Sequence, residues 1–558
     1  MAKGAVALRF RKGIVMDSTV SRRGFVSGVA LAAGASFIAA NGKAAYAAQA
    51  AEPEKWDIEA DVVVVGFGGA GACAAIAAGE VGSKVVVLEK ANESDAGGNF
   101  SVCGGGGVLA NPDDPEMAYN FLKIQMPDGF DEAELRGFVE ESLATPQWLE
   151  DHGFEGTITW SENGGGSMYA ANEYAHGWNG SISGPGFGFG FYNWLKGLCE
   201  ANENIEIHYS TPGVKLIFDR ATSEVHGVLA MDVDGNPVNV LARKAVILTL
   251  GGFENDKQML TTFYPPMLPI YPCGTPYNTG DGLKMITEIG AKLRGFSSVE
   301  WGCYCCKPAS DEVGVCMGID FMGTDCWNNS IMVNAMGKRF EAEASSPVSC
   351  FTGFVTKPLH DKAQMPALAF DMDALKYINL PMFYICDQTR FEAGAMFNGV
   401  AGGAPHYWAD IHGWSTWSDA NEAELEKGWI VKGDTLEELA EKLGIDPAGL
   451  AETVSNYNAY CVAGVDEELG RDQALTPVET GPFYGCELGL GLINTQGGPV
   501  RDANYQCIDW NDEIIPRLYA GGEFGSMYTW LYQGAGNVSE CIHSRGAGVH
   551  AANLEPWC

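Results

Sequence analysis

The hydrophobic and polar positions after residue 60 follow a pattern that predicts a strand, a helix and a second strand. Residues 60–65 form a short, valine-rich run interrupted only by Asp61, which is typical of a buried strand in a parallel sheet. The alanine-rich stretch 72–80 predicts a helix, and the run 84–88, in which four apolar residues follow Lys84, predicts the next strand. The pattern therefore indicates a βαβ unit.

The turn between the first strand and the helix, residues 66–71, is rich in glycine. Gly66 allows a tight turn, Gly68 lets the backbone approach a pyrophosphate, and Gly71 lets helix and strand pack closely. The helix N-terminus offers free N–H groups and a positive dipole end to phosphates. Glu89 ends the second strand, where a carboxylate can accept hydrogen bonds from ribose hydroxyls. In this setting the glycine pattern predicts a dinucleotide site.

Two further segments favour FAD over NAD. Residues 97–99 (Gly-Gly-Asn) lead to four consecutive glycines at 104–107, a second loop common in flavoproteins but without a use in NAD sites. Near the C-terminus, residues 518–523 precede 534–537 (Gly-Ala-Gly-Asn) and a helix predicted over about 538–551. This helix would point its N-terminus at the flavin N1/C2 oxygen, where negative charge gathers on reduction.

Composition narrows the class of partner. The 558 residues, 46% of them hydrophobic, suffice for two domains. With 71 acidic and 35 basic residues, the net charge of -36 would repel nucleic-acid phosphates and anionic lipid headgroups. We therefore expect a small-molecule substrate and no nucleic-acid partner, and most of the acidic side chains are expected to form a solvated surface.

The first fifty residues have the pattern of a targeting segment. Arg22 and Arg23 are followed by a weakly apolar run at 25–40 and by small residues at 45–50. This resembles a twin-arginine signal peptide and predicts export in folded form, to the periplasm or the cell surface. The alternative, a membrane anchor, needs about 20 strongly apolar residues. No span is predicted after removal of the leader.

Four more segments complete the pattern: 246–253 (Val-Ile-Leu-Thr-Leu-Gly-Gly-Phe), 278–282 (Asn-Thr-Gly-Asp-Gly), 333–340 (Val-Asn-Ala-Met-Gly-Lys-Arg-Phe) and an amphipathic helix pair around 444–447. With these, the chain from 60 to 552 resembles the FAD-binding flavoproteins of the fumarate reductase and 3-ketosteroid dehydrogenase superfamily. The resemblance implies an α/β fold with a Rossmann-type FAD-binding domain, split and built from both ends of the chain. An α+β capping domain would be inserted in it and cover the substrate.

The expected organisation is a signal peptide at 1–51, FAD-binding parts at 55–288 and 488–558, and a capping domain at 289–487. The resemblance implies non-covalent FAD, because no histidine occupies the position that succinate dehydrogenases use for covalent attachment. The cofactor-binding residues expected from the motifs and the resemblance are Gly66, Gly68, Gly69, Ala70, Gly71, Glu89, Lys90, Gly97, Gly98, Asn99, Gly105, Gly106, Val214, Gly251, Gly252, Asp281, Glu523, Gly536, Asn537 and Val538.

The residues that fumarate reductases use to clamp a dicarboxylate are missing. The resemblance places the family's two arginines at Cys326 and Gln533, and its histidine at Asn494. A further histidine early in the cap is also absent, since none lies between His226 and His360. Bidentate arginines contribute much of the recognition of a carboxylate. A fumarate-type substrate is therefore not expected.

The C-terminal motif resembles that of the ketosteroid dehydrogenases. Tyr532-Gln533-Gly534-Ala535-Gly536 stands where they have Tyr-Pro-Gly-Pro-Gly, and both prolines are lost. The resemblance implies that the Tyr532 hydroxyl and the Gly536 amide polarise a substrate carbonyl. The alternative is a tyrosine that packs under the flavin without a chemical role.

Cys303, Cys305, Cys306 and Cys316 form the densest group of thiols. Four thiolates could hold a [4Fe–4S] cluster, but their spacing matches neither common ferredoxin pattern. Disulfides and buried, metal-free thiols are the alternatives. No Cys-x-x-Cys-His occurs, so covalent haem is not expected. Electrons would come from a separate cytochrome or quinol-linked donor protein.

These observations predict an FAD-dependent ene-reductase or dehydrogenase. It would transfer hydride between flavin N5 and a carbonyl-activated C=C bond of a neutral, ring-containing enone such as a 3-ketosteroid. A respiratory reductase of a small acrylate-type acceptor, fumarate- or urocanate-like, is the alternative and would need Arg339, Arg390 or Arg471 in the cleft. A second alternative is an electron carrier without a ligand-sized pocket.

Overall fold

The structure, a computed structural model, describes residues 53–124, 126, 130–161, 174–264, 268–296, 299–318, 325–343, 369–397, 417–527 and 536–558. The strands among them are β1 (Ile58–Val65), β2 (Val85–Leu88), β3 (Gly106–Leu109), β4 (Thr157–Trp160), β5 (Gly180–Ser183), β6 (Ile205–His208), β7 (Gly213–Asp219), β8 (Glu224–Met231), β9 (Pro237–Leu248), β10 (Ile270–Pro272), β11 (Leu293–Arg294), β12 (Val299–Cys306), β13 (Ser330–Asn334), β14 (Phe370–Asp371), β15 (Lys376–Tyr377), β16 (Met382–Asp387), β17 (Val431–Gly433), β18 (Phe483–Thr495), β19 (Gly498–Pro499), β20 (Gln506–Ile508) and β21 (Ile514–Ala520). The helices are α1 (Gly69–Glu80), α2 (Gly98–Val102), α3 (Pro115–Lys123), α4 (Glu132–Asp151), α5 (Phe187–Ala201), α6 (Lys257–Phe263), α7 (Asp281–Ile289), α8 (Lys307–Val313), α9 (Gln388–Glu392), α10 (Glu422–Lys427), α11 (Leu436–Leu443), α12 (Pro447–Ala463), α13 (Gly536–His543) and α14 (Arg545–Ala552).

The larger sheet draws its strands from both ends of the chain. Its parallel strands follow the order β21-β9-β1-β2-β6, and β20 pairs antiparallel with β21 at one edge. The hairpin β7-β8 extends from β9. All four residues of β2 and the last four of β1 are buried, as expected for strands covered on both faces. The predicted α/β fold class with a split Rossmann-type sheet is confirmed.

Helix α1 packs against the C-terminal helices on this sheet. A Cβ on Gly548 of α14 would lie 2.2 Å from the backbone oxygen of Ala74 in α1, so only glycine fits there. The prediction of one helix over 538–551 was wrong, because the segment forms α13 and α14, which are separated at Ser544. The Ser544 hydroxyl donates a hydrogen bond to the Glu540 carbonyl (3.0 Å), and such bonding competes with regular helix continuation.

A second sheet has the order β10-β18-β16-β13, with β12 and β17 also paired to β18. The predicted helix pair covers one face as α11 and α12, joined by Gly444 at φ 76°. Strand β18 runs through the expected boundary at 487 and 488 without a break. The domain limits themselves stay a prediction. None of the helices in the described ranges is long and apolar enough to cross a membrane.

A buried ionic cluster ties the C-terminal helix α13 to helix α4. Arg501, only 2% exposed, donates hydrogen bonds to Glu134 (3.1 Å) and to Glu540 (2.7 Å). Arg294 forms a bidentate pair with Glu134, and the Met527 amide donates to Glu540 (2.7 Å). The cluster therefore fixes the chain on both sides of residues 528–535.

We expect Arg501→Met to lower the free energy of unfolding by about 3–5 kcal/mol, because two buried carboxylates would lose a shared cation. Urea denaturation followed by circular dichroism measures this change. Arg136→Met, which breaks an exposed ion pair with Glu116, is the control and is expected to leave stability almost unchanged. Equal stabilities for the two variants would contradict a structural role for the cluster.

Candidate active site

A cleft that is open to solvent lies at the carboxyl ends of β1, β2 and β9. This edge is where doubly wound α/β sheets bind dinucleotides. The residues that line the cleft are Val65, Gly66, Phe67, Gly68, Gly69, Ala70, Leu88, Glu89, Lys90, Ala91, Asp95, Gly97, Gly98, Asn99, Phe100, Pro212, Gly213, Thr249, Leu250, Gly251, Thr275, Tyr277, Asn278, Asp281, Gly521, Glu523 and Cys541.

The glycine-rich turn after β1 forms the floor of the cleft. Gly66 has φ +100°, and a Cβ on Gly71 would lie 1.9 Å from the Gly66 backbone oxygen, so both positions require glycine for the turn itself. Gly68 differs, because a Cβ there would meet only the Gly97 carbonyl group, with the oxygen at 3.4 Å and the carbon at 3.9 Å. The space beside Gly68 therefore belongs to the cleft and is open to a ligand.

Glu89 stands at the end of β2 and holds the turn. Its carboxylate accepts hydrogen bonds from the backbone amides of Phe67 (2.7 Å) and Ala91 (2.6 Å). Burial raises the pKa of Glu89, and these amide hydrogen bonds act in the opposite direction. Each carboxylate oxygen can accept a further hydrogen bond, so the predicted contact with ribose hydroxyls is compatible with this arrangement.

Lys90 and Asp281 close one side of the cleft. The Lys90 ammonium donates to Asp281 (2.6 Å) and to the Thr279 hydroxyl (2.8 Å). Burial alone would raise the pKa of Asp281, but the Lys90 charge and hydrogen bond hold it below its usual value. The pair therefore joins the end of β2 to the start of α7.

Asn99 locks the second glycine loop to the other side of the cleft. Its side-chain oxygen accepts from the Thr275 amide (2.9 Å), and its side-chain amide donates to the Ile493 carbonyl (3.2 Å) and to Glu254 (3.3 Å). Ile493 lies near the end of β18. Asn99 thus connects the cleft to the end of β18, whose last residue is Thr495.

Helix α13 begins beside strand β3, which follows the second glycine loop. The Ser539 hydroxyl accepts from the Val108 amide (3.0 Å) and donates to the Val108 carbonyl (2.8 Å). The Asn537 side-chain amide is shielded from solvent, and neither of its polar atoms has a hydrogen-bond partner in the described ranges. A polar ligand at this helix start would satisfy them.

The structure brings most of the predicted cofactor residues together. Those that line the cleft are Gly66, Gly68, Gly69, Ala70, Glu89, Lys90, Gly97, Gly98, Asn99, Gly251, Asp281 and Glu523. Those that do not line it are Gly71, Gly105, Gly106, Val214, Gly252, Gly536, Asn537 and Val538. Their parts in FAD binding stay predictions.

Two of these residues, Val214 and Gly252, lie beside residues that line the cleft. Pro212 and Gly213 line it where Val214 was expected. A Cβ on Gly252 would lie 2.2 Å from both the Thr495 hydroxyl and a Glu523 carboxylate oxygen, so Gly252 keeps the wall in place.

The sequence interpretation missed Thr249, Tyr277 and Asn278 among others that line the cleft. Thr249 directly follows β9, and Asn278 opens the segment 278–282 that was already singled out. Their positions beside recognised motifs were the signal that could have found them. Tyr532, the predicted carbonyl-binding residue, lies outside the described residues, whereas Gly536 is the first residue of α13.

Arg339, Arg390 and Arg471 do not line the cleft. Arg339 pairs with Glu343 (2.7 Å) and Asp466 (2.9 Å), both buried. Arg390 and Arg471 donate mainly to backbone carbonyls, at 2.6 Å to Ala395 and 2.8 Å to Ser330 among others. All three guanidinium groups therefore stabilise the region around the second sheet.

Three of the thiols considered as iron–sulfur ligands have described side chains, and they do not form one cluster. Cys305 and Cys316 pack with Cys273 in a small apolar cluster, whereas Cys306 belongs to the main core. Cys305 and Cys306 are neighbours on β12, and adjacent strand residues point to opposite faces. Cys303 contributes only backbone to the described structure. Within the described ranges, no three His, Cys, Asp or Glu side chains are arranged to hold a metal ion.

The glycine turn after β1 and the carboxylate at the end of β2 fit a dinucleotide such as FAD. The site thus defines the class of dinucleotide-binding proteins. A family model described as an FAD binding domain matches residues 61–539. The chain belongs to this FAD-binding family, and it is an FAD-dependent oxidoreductase whose relatives include reductases of C=C bonds.

Known proteins similar to this chain cover most of its length. Digoxin reductase from Eggerthella lenta is 28% identical over 545 residues, covering 90% of this chain and 88% of that protein. Urocanate reductase from Eggerthella lenta is 27% identical over 564 residues, covering 97% and 82%. The crystal structure of 3-ketosteroid Δ1-dehydrogenase from Sterolibacterium denitrificans, with bound 1,4-androstadiene-3,17-dione, has a TM-score of 0.69 at 20% identity, covering 88% and 99%. At this identity the likeness shows the fold.

Proposed function

We propose that the protein reduces, or in reverse forms, the carbonyl-activated C=C bond of a neutral, ring-containing enone such as a 3-ketosteroid. The class of reaction agrees with digoxin reductase and the ketosteroid dehydrogenase, to which the chain is similar. The finer assignment, a neutral substrate, depends on whether an arginine is available to pair with a substrate carboxylate.

The observation that carries the proposal is that the three candidate arginines bind other groups of the protein and do not line the cleft. A carboxylate substrate needs a paired cation when it leaves water. Arg339, Arg390 and Arg471 are each committed to buried carboxylates or backbone carbonyls. The positions where the resemblance expects cationic clamps hold Cys326, Gln533 and Asn494. A neutral carbonyl, which needs only hydrogen-bond donors, suits such a site better.

Bound FAD, which we propose is held non-covalently, supplies or accepts the hydride. The chain's part is to orient the substrate and to interact with the carbonyl oxygen as negative charge develops on it. We propose the Tyr532 hydroxyl and the Gly536 amide as these donors. The amide of Gly536 belongs to the first turn of α13, where N–H groups have no intrahelical partner. The helix dipole adds to the stabilisation of that charge.

We also propose that the protein is exported by the twin-arginine route and receives electrons from a separate cytochrome or quinol-linked donor. Arg22 and Arg23, followed by the apolar run at 25–40, support the first part. A reductase turns over only if its flavin is reduced again after each cycle, and a separate donor protein would meet this need. Relatives that include a cytochrome-linked fumarate reductase agree with it.

The second candidate function is the reduction of a small acrylate-type acceptor. The similarity to urocanate reductase, over 97% of this chain, favours it. It would require a cation for the substrate carboxylate, supplied from residues other than the three arginines described above.

The two functions are separated by anaerobic turnover with reduced viologen as electron donor. Neutral cyclic enones should be consumed and yield products two hydrogen atoms heavier by mass spectrometry. Urocanate, fumarate and acrylate should leave the viologen reduced. Consumption of the carboxylates alone would replace the first candidate by the second.

A further inference from the structure

Two buried glutamates, Glu254 and Glu523, lie side by side in the wall of the FAD cleft. Glu523 lines the cleft and is 8% exposed, and Glu254 is 2% exposed. A Cβ placed on Gly252 would lie 2.2 Å from a Glu523 oxygen and 2.7 Å from a Glu254 oxygen, so the carboxyl groups are close neighbours. Two carboxyl groups this close and this buried repel each other when both are ionised, which favours a proton on one of them.

The neighbours of Glu254 are neutral hydrogen-bond donors. The carboxyl group accepts from the Thr495 backbone amide (2.9 Å) and the Asn99 side-chain amide (3.3 Å). These two amide donors lower the cost of one negative charge on the pair. Neither of them carries the positive charge that a second buried carboxylate would need.

Two other titratable groups face the pair. The Tyr264 hydroxyl follows α6 and lies near both glutamates, and the Cys541 thiol of α13 lies near Glu523. Burial raises the pKa of each well above its usual value, and the glutamates add to this. Both groups are therefore neutral near pH 7, and the charge in this wall is that of the carboxyl pair.

We propose that Glu254 is a positioning residue that keeps the pair singly charged, so that one shared proton limits the negative charge facing the dinucleotide. FAD carries two phosphates, and a second negative charge in the cleft wall would repel it. This inference rests on the cleft holding FAD, and it is independent of the substrate assigned above.

The proton shared by Glu254 and Glu523 should make the affinity for FAD change with pH in one direction only. Burial, the largest effect, raises the pKa of Glu254, and the Glu523, Thr495 and Asn278 contacts moderate it. A raised pKa means that the proton is present at lower pH and is lost as the pH rises through that value. Affinity for FAD should therefore be constant at low pH and fall at higher pH, where the pair becomes doubly charged.

Release of FAD from the diluted holoprotein, followed by flavin fluorescence from about pH 6 to about pH 9, measures this dependence. For the parent protein we expect the dissociation constant to rise by up to about tenfold per pH unit above the pKa of the pair, since one proton is linked to binding. Glu254→Gln keeps a donor to Glu523 but has no proton to lose. Its dissociation constant should match the parent at the lowest pH and stay constant.

Glu424→Gln is the matched control. Glu424 is 1% exposed and accepts hydrogen bonds from Ser418, but it does not line the cleft, so this variant should keep the parent's slope. A parent whose affinity is independent of pH, or a Glu254→Gln variant that keeps the slope or releases FAD at every pH, would overturn the proposal.

An infrared difference spectrum provides a second readout. The parent minus Glu254→Gln spectrum at about pH 7 should contain the C=O band of a protonated carboxyl group, and its absence would overturn the shared proton. Neither measurement contains a substrate, so failure of the enone assignment would leave both results unchanged.

Discussion

Gly68→Val is expected to give a folded protein that carries no FAD. Gly68 has φ -88° and ψ -167°, an extended conformation in which a β-branched residue is favourable. A Cβ there meets only the Gly97 carbonyl group, with the oxygen at 3.4 Å and the carbon at 3.9 Å, so the protein itself has room for it. The side chain would instead occupy the space in which the backbone approaches the pyrophosphate.

The ratio of flavin absorbance to protein absorbance measures the loss. The parent should contain about one FAD per chain, released into the supernatant on acid precipitation if the cofactor is non-covalent. Gly197→Val is the control, because Gly197 is exposed in α5 with nothing near its Cβ position. A yellow Gly68→Val protein would show that the pyrophosphate lies elsewhere, whereas flavin remaining with the precipitate would contradict non-covalent binding.

Tyr532→Phe is expected to slow enone turnover by a factor of about 10² to 10³, the usual cost of removing one donor to a developing oxyanion. Hydride addition places negative charge on the carbonyl oxygen, and a hydroxyl donor interacts better with that charge than with the ground-state carbonyl. Phenylalanine keeps the ring and its packing. FAD content and the flavin spectrum should therefore stay as in the parent.

Steady-state kinetics with a cyclic enone and reduced viologen measure this effect. Tyr484→Phe is the control, because the Tyr484 hydroxyl donates to Gln388 (2.6 Å) in the second sheet, away from the cleft. Turnover of Tyr532→Phe within about twofold of the parent would remove the catalytic role, since that change is far below the effect of a lost oxyanion donor.

The FAD-binding half of the fold could be predicted because its signals are local. The valine run before Gly66, the glycine turn and Glu89 all lie within one βαβ unit, and their order fixes where a phosphate can sit. The helix pair α11 and α12 could also be predicted from local signals, since Gly444 ends the first helix and Asp446 caps the second.

The rest of the site depends on contacts between distant parts of the chain. Glu254 meets Asn99, 155 residues earlier, and Thr495, 241 residues later, and no sequence pattern records such a meeting. The break between α13 and α14 arises from the Ser544 side chain, which a hydrophobic pattern does not register. Cys305 and Cys306 were grouped by their spacing in the sequence. Both lie on β12, where the side chains of adjacent residues point to opposite faces.

The assignment of a neutral substrate is tested most directly by reoxidation of the reduced holoprotein in an anaerobic stopped-flow instrument. Two acceptors of matched size, 2-cyclohexenone and 1-cyclohexenecarboxylate, are mixed with it separately, and flavin absorbance reports the rate. We expect the enone to reoxidise the flavin about a hundredfold faster or more, because a carboxylate left unpaired in a buried site costs several kcal/mol. Reoxidation by the carboxylate at an equal or higher rate would contradict the account.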